Sequence, residues 1–468
     1  MKKQIAVAIV LFAASASGQQ ASKISDAKQR EDVSITVYNQ NFGLVREVRN
    51  IDTGTGKVSL EFRDVAENIQ PETVHIKSLG GTVRVLEQNY RYDLLSPQKL
   101  LEKYVGRTVK VYRWNEKIGK DEELDAEVLS VSQGTVLKIN NQITYDFPGR
   151  LAFPEVPKNL IAKPTLVWML DSPQPKQKLE VTYLTQNLNW AADYVFVIND
   201  SDTLGDLTGW VTLTNHSGAS YENAKLKLVA GDVQRIQPGR SRDEYAPQKS
   251  AEASGRAQFK EEGFFEYHLY TLERPTNLLQ NEQKQVTLLE GQGIKLDKRL
   301  IFYGAAQYYR GNYGQVVSNQ KVGVYLDIEN KESNHLGMAL PKGIVRVYKA
   351  DKSGQQQFIG EDSIDHTPRD ERFRIKMGEA FDVVGDRKQM NWKSLGSCVS
   401  ESDWEITLRN HKDSAVDVEL YEPVGGDWEI LSSSHPATKK DAHTFTFKPN
   451  IKARGEVKVT YKVRIRWC

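Results

Sequence analysis

The sequence predicts an all-β protein, built of multiple β-sandwich and small-barrel domains with one short helix and a disordered loop. Three observations carry that expectation. Short segments rich in Val, Ile, Thr and aromatic residues recur along the chain, and within them apolar and polar side chains alternate with the period of two that buries one face of a strand. Clusters of Gly, Asn and Asp separate these segments, because those residues supply the backbone angles and local hydrogen bonds of turns. Helical spacing of apolar residues occurs convincingly in one place only. With 468 residues the chain is long enough for about three domains, each able to bury a core.

Taken in order, residues 1–18 read as a signal peptide. Lys2 and Lys3 precede an apolar run from Ile5 to Ala14, and small residues follow through Gly18. The expected location is therefore outside the cytoplasm, periplasmic or secreted. No later run approaches about 18 apolar residues, so no transmembrane segment is expected in the mature chain. Without the two leader lysines the formal charge of +2 falls to zero, which leaves no electrostatic basis for binding nucleic acid.

Residues 19–95 read as an N-terminal β domain, with the strand-like segments VSITVYNQ, GLVREVRNID and KVSLEF and a turn at Gly54 and Gly56. Residues 96–160 open with the short helix. Ser96 is placed to cap it, Pro97 suits its first turn, Leu100, Leu101, Tyr104 and Val105 share a face, and Gly106 can end it. Four short strand patterns follow in about fifty residues, the spacing of an SH3-like barrel.

Residues 161–389 read as a central β-sandwich organised around LNWAADYVFVIND and its partner strands, with the turn Asn215-His216-Ser217-Gly218 between two alternating segments. A polar, apolar-poor stretch at 237–263 interrupts it and is expected to be a mobile loop. Residues 390–468 form the expected C-terminal sandwich. Its DWEITLRNHKDSAVDVELYEPV repeats a strand–Asn–turn–strand pattern that also occurs in VYLDIENKESNHLG, so three hairpins carry an asparagine, at Asn215, Asn330 and Asn410. Trp190, Trp210, Trp404 and Trp428 are expected as core anchors. In the final strand pattern the basic side chains of Lys458, Lys462, Arg464 and Arg466 share one face, as edge strands often arrange them. The two cysteines, Cys398 and Cys468, suit a disulfide in an oxidising compartment, and no CxxC spacing points to metal.

Several of these segments are long enough to compare with a known family. YNQNFGLVREVRN, EQNYRYDLLSPQKLLEKYVGRTV, the stretch from Leu188 to Ile236, and LPKGIVRVYKADKSGQQQFIGEDSIDHTPRDERFRIKMGEAFDVVGDR together resemble the bacterial proteins built on the domain of unknown function 4139. The resemblance covers nearly all of the chain after about residue 32. It implies an exported, β-rich protein and brings no catalytic residue with it.

Two constellations qualify as candidate sites. Tyr303, Tyr308, Tyr309 and Tyr313, interleaved with Arg310, form the densest aromatic patch, and planar rings of this kind stack on a sugar or a peptide. Glu361, Asp362, Asp365 and His366 offer oxygen and imidazole ligands to a divalent cation. Alternation along a strand would divide the latter set between two faces, and a solvated hairpin tip is the simpler reading. No HExxH, GxSxG, Walker, GxGxxG or EF-hand pattern occurs, so no catalytic residue and no cofactor is assigned. The functional expectation is an exported, non-catalytic binding or scaffold protein of the bacterial cell envelope, with an envelope protein or a glycan as partner. The alternative is an exported hydrolase, metal-assisted or not, using the carboxylates around Glu361 to His366. Oligomeric state is left open.

Overall fold

The computed structural model describes residues 22–116, 119–145, 147–157, 159–235 and 258–468. The expected signal peptide and most of the expected loop lie outside the described residues. The loop's last residues do not: Phe259–Phe264 is a strand paired with Tyr267–Leu272, and Phe259 is buried. Composition averaged over that window hides a single aromatic anchor among polar neighbours.

The fold is all-β, with strands in a thirteen-stranded, an eight-stranded, a five-stranded, a four-stranded and a two-stranded sheet. Strands from the first ninety residues find their partners beyond residue 160. Arg30–Tyr38 pairs in parallel with Tyr221–Ala230, Phe42–Asp52 pairs antiparallel with Lys176–Gln186, and Gly56–Arg63 pairs antiparallel with Thr165–Ser172. Backbone groups taken from water must be paired, so these segments cannot fold separately. One core accordingly runs from Val33, Val45 and Phe62 through Trp168, Trp190 and Tyr194 to Val347 and Phe373. The expected separate domains at 19–95 and 161–389 are one body.

Between them, the segment from Ser96 onward is an insertion with its own core around Tyr104, Val111, Val128 and Leu137. The helix spans Pro97–Lys103, and Ser96 Oγ accepts the Lys99 N–H at 3.2 Å. It ends before the expected Gly106, and Val105 leaves the apolar face to stand 44% exposed. The five strands follow the order Gln142–Tyr145, Val136–Ile139, Lys120–Ser130, Thr108–Asn115, Arg150–Ala152. Among the described residues no pairing joins the outer two, so the sheet is open rather than the expected barrel. Its edge strands have only 4 and 3 residues, too few for the stagger that closure requires.

The expected boundary at 389/390 falls inside the continuous strand Arg372–Ser394. That strand, with Glu282–Tyr303 and Gln315–Glu329, passes from the first core to a second core containing Phe302, Tyr309, Trp404, Phe445 and Tyr461. A shared hydrogen-bond ladder, not a linker, joins the two. Cys398 and Cys468 are bonded with Cα atoms 5.7 Å apart and close a loop of 70 residues, worth about 4 kcal/mol by the loop-entropy relation. The last strand, Glu456–Arg466, lies between Val399–Asn410 and Asp427–Ser433 and is therefore internal. Lys462 and Arg464 on its polar face pair with Glu401, so the basic face is neutralised by neighbours instead of guarding an edge. No helix among the described residues is long and apolar enough to cross a membrane.

Trp190 and Trp404 are core anchors, whereas Trp210 and Trp428 are half-buried. The most buried tryptophan is Trp168, whose indole N–H donates to Gln88 Oε1 at 2.8 Å.

The three asparagine-marked turns share one construction, but none closes the expected hairpin: Leu204–Asn215 pairs with Leu188–Ile198 and Glu282–Tyr303 whereas Tyr221–Ala230 joins Arg30–Tyr38, and the strands on either side of Asn330 and of Asn410 likewise take different partners. Asn215 ends Leu204–Asn215, Asn330 follows Gln315–Glu329, and Asn410 ends Val399–Asn410; all three are buried. Each Nδ2 donates to two successive carbonyls of a facing segment: Leu278 and Leu279 for Asn215, Thr367 and Pro368 for Asn330, Ile451 and Lys452 for Asn410. Each also donates to a carbonyl of its own turn, at Ala219, Met338 or Ser414. The Oδ1 atoms accept the N–H of Ser217, Gly337 and Lys412. Two residues beyond the second carbonyl, each facing segment turns through positive φ, at Asn281 (60°), Asp370 (66°) and Arg454 (50°). Only a short amide supplies donor and acceptor together at such a corner. Replacing Asn215 by Ala strands buried carbonyls and is expected to cost about 2–3 kcal/mol. Asn215→Asp, which turns an acceptor toward acceptors, is expected to cost more, and urea midpoints measure both. An Asp variant as stable as the parent contradicts this account of the corner.

Candidate functional site

The strongest concentration of buried charge begins with strand geometry. Arg30 sits directly opposite Arg49 across an antiparallel pair, and Glu47 lies two residues before Arg49 on the same face. That face is otherwise apolar, with Val45 and Ile51 in the core. Glu47 Oε2 accepts Arg30 Nε at 2.8 Å and Arg49 Nη2 at 2.8 Å, while Oε1 accepts the Tyr183 hydroxyl at 3.2 Å. Arg49 Nη1 donates to the carbonyls of Ser25 and Arg63, and its guanidinium lies 3.5 Å from the centre of the Phe62 ring. Glu47 and Arg49 are fully buried, and the Arg30 side chain is 10% exposed.

Through Arg30 this cluster reaches the wall of an open cleft of about 740 Å³, a size suited to a small organic ligand. The cleft lies where the chain leaves and re-enters the insertion, at Leu94 and Lys163, and meets the turn after Asn215 at Gly218. Gly218 has φ +90°, and a Cβ there would overlap Glu67, so the turn seats against the cleft wall only with glycine. Asp64 ends Gly56–Arg63 with φ 63°, accepts the Ala27 N–H at 3.0 Å and pairs with Lys163. Lys28, Glu67 and Glu222 complete the charged lining.

Burial opposes ionisation of Glu47, but Arg49 and Arg30 outweigh it and hold the carboxyl below its ordinary value. For Asp64 burial is likewise overcome, by Lys163 and the Ala27 N–H, and its pKa is lowered. Burial would lower the pKa of Arg30, yet Glu47 raises it above the ordinary value. Burial and then Glu47 push the Tyr183 hydroxyl well up, and burial raises that of Tyr221.

The sequence-derived candidates lie elsewhere and are dispersed. Tyr303 is 40% exposed and packs edge-on against Tyr325 and Tyr421, with centroids 6.1 and 5.2 Å away. Tyr309 is buried, donating to Glu422 at 2.7 Å and contacting the Tyr461 hydroxyl at 2.8 Å. Tyr308 is half-buried against the second core, Arg310 lies over Trp467, and Tyr313 is half-exposed. The expected single patch is thus divided, because Ala306–Tyr309 forms a 3-10 turn that rotates Tyr309 inward, away from Tyr303. Glu361 pairs with Arg346, Asp362 accepts the N–H groups of Ser363 and Lys376, and Asp365 accepts that of His366. His366 Nδ1 accepts the Lys342 N–H. The expected cation site does not assemble: strand alternation separates Glu361 from Asp362, and no group of three His, Cys, Asp or Glu among the described residues is placed to hold a metal.

No family model matches the chain, and no curated protein matches it.

The buried carboxylate makes acid stability diagnostic. A carboxyl whose folded pKa is depressed contributes stability that is fully present above the unfolded value and is lost as pH falls through the folded value. Glu47 and Asp64 both have this sign, so stability is expected to decline below their ordinary values of 4.5 and 3.8. Thermal melts from pH 7 to pH 2 should show a shallower decline for Asp64→Asn than for the parent. Parallel curves would contradict the assigned ion pair with Lys163.

Proposed function

We propose that the chain is an exported, non-catalytic, β-rich binding protein of the bacterial cell envelope, as its resemblance to the domain of unknown function 4139 proteins implies, and that the cleft over Arg30 is its binding surface. One observation carries the choice of binding over catalysis. Every ionisable group with a shifted pKa at the cleft is moved away from neutrality: Asp64 and Glu47 downward, Arg30 and Tyr221 upward. General acid–base catalysis needs the opposite, a group tuned toward the working pH. The rival hydrolase reading requires Glu361, Asp362, Asp365 and His366 to act together, and their side chains have separate partners.

Export is supported by the Lys2–Lys3, apolar and small-residue run at the N-terminus, and the Cys398–Cys468 bond suits an oxidising compartment. Expression from Met1 followed by fractionation is expected to place the protein in the periplasm or medium, with an intact mass corresponding to cleavage after Ala16 or Gly18. An uncleaved protein retained in the cytoplasm overturns the export reading.

A further inference from the structure

The ion cluster beneath the cleft has an unbalanced charge. Arg30, Arg49 and Lys163 supply three cations, and Glu47 and Asp64 supply two carboxylates. Tyr183, the next ionisable neighbour, stays neutral. The Asp64–Lys163 pair is self-balanced and reaches solvent, Lys163 being 62% exposed, so the excess positive charge belongs to Arg30 and Arg49 around Glu47, where Glu47 and Arg49 have no contact with water. Unpaired buried charge is costly, and the cluster has one outlet. Arg49 is enclosed, its Nη1 committed to two carbonyls and its Nη2 to Glu47. Lys163 is held by Asp64. Of the clustered cations, Arg30, beside the Lys28 ammonium, lines the cleft with donors to spare. Its Nε is used by Glu47, and its terminal nitrogens have no protein partner among the described residues. The guanidinium is thus fixed from behind and offers its free end to the cleft, the arrangement that grips a carboxylate or phosphate through two parallel hydrogen bonds.

We propose that the cleft over Arg30 binds an oxyanion, a carboxylate or phosphate monoester group carried on a larger organic molecule. The rim narrows the class further. Glu67 and Glu222 line the same cleft and are exposed, with Lys28 as the opposing cation. Two carboxylates at the mouth repel polyanions and favour a cation, so the ligand carries a single anionic group inward and a positive group outward. A zwitterion satisfies both, whether a peptide end or a phosphorylated amine.

This inference rests on the reading of the cleft as the binding surface, and its test is independent of export. Triglycine, triglycine amide and phosphoethanolamine are titrated calorimetrically into the purified chain. Triglycine binding without binding of its amide identifies the carboxylate source, and binding of phosphoethanolamine identifies the phosphate source. Either supports the proposal. Arg30→Gln is expected to weaken binding at least tenfold, and Arg30→Lys to weaken it less, since charge survives but the fork does not. Because Arg30 also braces the core, the exposed rim supplies a second variant. Glu67→Gln is expected to fold normally and to weaken the zwitterion relative to N-acetyltriglycine. Binding of triglycine and its amide with equal affinity, no binding of any probe, or unchanged affinity in a folded Arg30→Gln protein overturns the proposal. A cytoplasmic protein that still binds triglycine refutes export and leaves the site standing; an exported protein that binds none of the probes does the reverse.

Discussion

The fold turns on Glu47 held between Arg30 and Arg49. The carboxylate joins two neighbouring strands, Arg30–Tyr38 and Phe42–Asp52, and through Tyr183 a third, Lys176–Gln186, which is separated from them in sequence by the whole inserted module. A buried ion pair is weak evidence of stability, because desolvation consumes much of the Coulombic gain, but removing one partner leaves an uncompensated charge. The cluster therefore acts mainly as a specification of register. A one-residue slip of Arg30–Tyr38 against Phe42–Asp52 would carry Arg30 to the opposite face, away from Glu47. The same constraint fixes Arg30 at the wall of the cleft, so the feature that sets strand register also sets the chemistry of that surface.

A second device holds the ends of the sheets. The corners at Asn215, Asn330 and Asn410 use one side chain to join a turn to a facing segment, with the same offset to a residue of positive φ each time. Two of the corners brace the first core and the third the second, and the long strands between them carry one hydrogen-bond ladder through both. The inserted module is attached differently, by the connections at Leu94 and Ile161. Its entry and exit form part of the cleft wall, which places the proposed binding surface where one body meets another.

Local features were legible in the sequence and distant pairing was not. Alternation identified the strands, Ser96 and Pro97 identified the helix, and the repeated Asn-turn pattern identified the three corners, because each depends on neighbouring residues. The partnership of Arg30–Tyr38 with Tyr221–Ala230 is set by packing across nearly the whole first body, and no local signal encodes it. The expected separation of 19–95 from 161–389 and the boundary at 389/390 failed for the same reason, while the inserted module kept its own core. Among the candidate residues, spacing brought Tyr303, Tyr308, Tyr309 and Tyr313 together on paper, while a short 3-10 turn sends them to different environments. The charged cluster beneath the cleft did leave a trace. Within Val45-Arg46-Glu47-Val48-Arg49-Asn50-Ile51, two charges occupy positions that alternation reserves for apolar side chains, and buried charge in such a place requires partners.

The central claim is that Glu47 is a permanent carboxylate between two guanidinium groups, leaving the cluster with excess positive charge. The most direct measurement is the titration of the Glu47 carboxyl carbon by carbon-13 NMR, assigned by comparison with Glu47→Gln. The account predicts a carboxyl that stays ionised below its ordinary value of 4.5, because Arg49 and Arg30 together overcome the cost of burial. A Glu47 carboxyl that takes up a proton at or above 4.5 would contradict the account and remove the physical basis for an anion in the cleft.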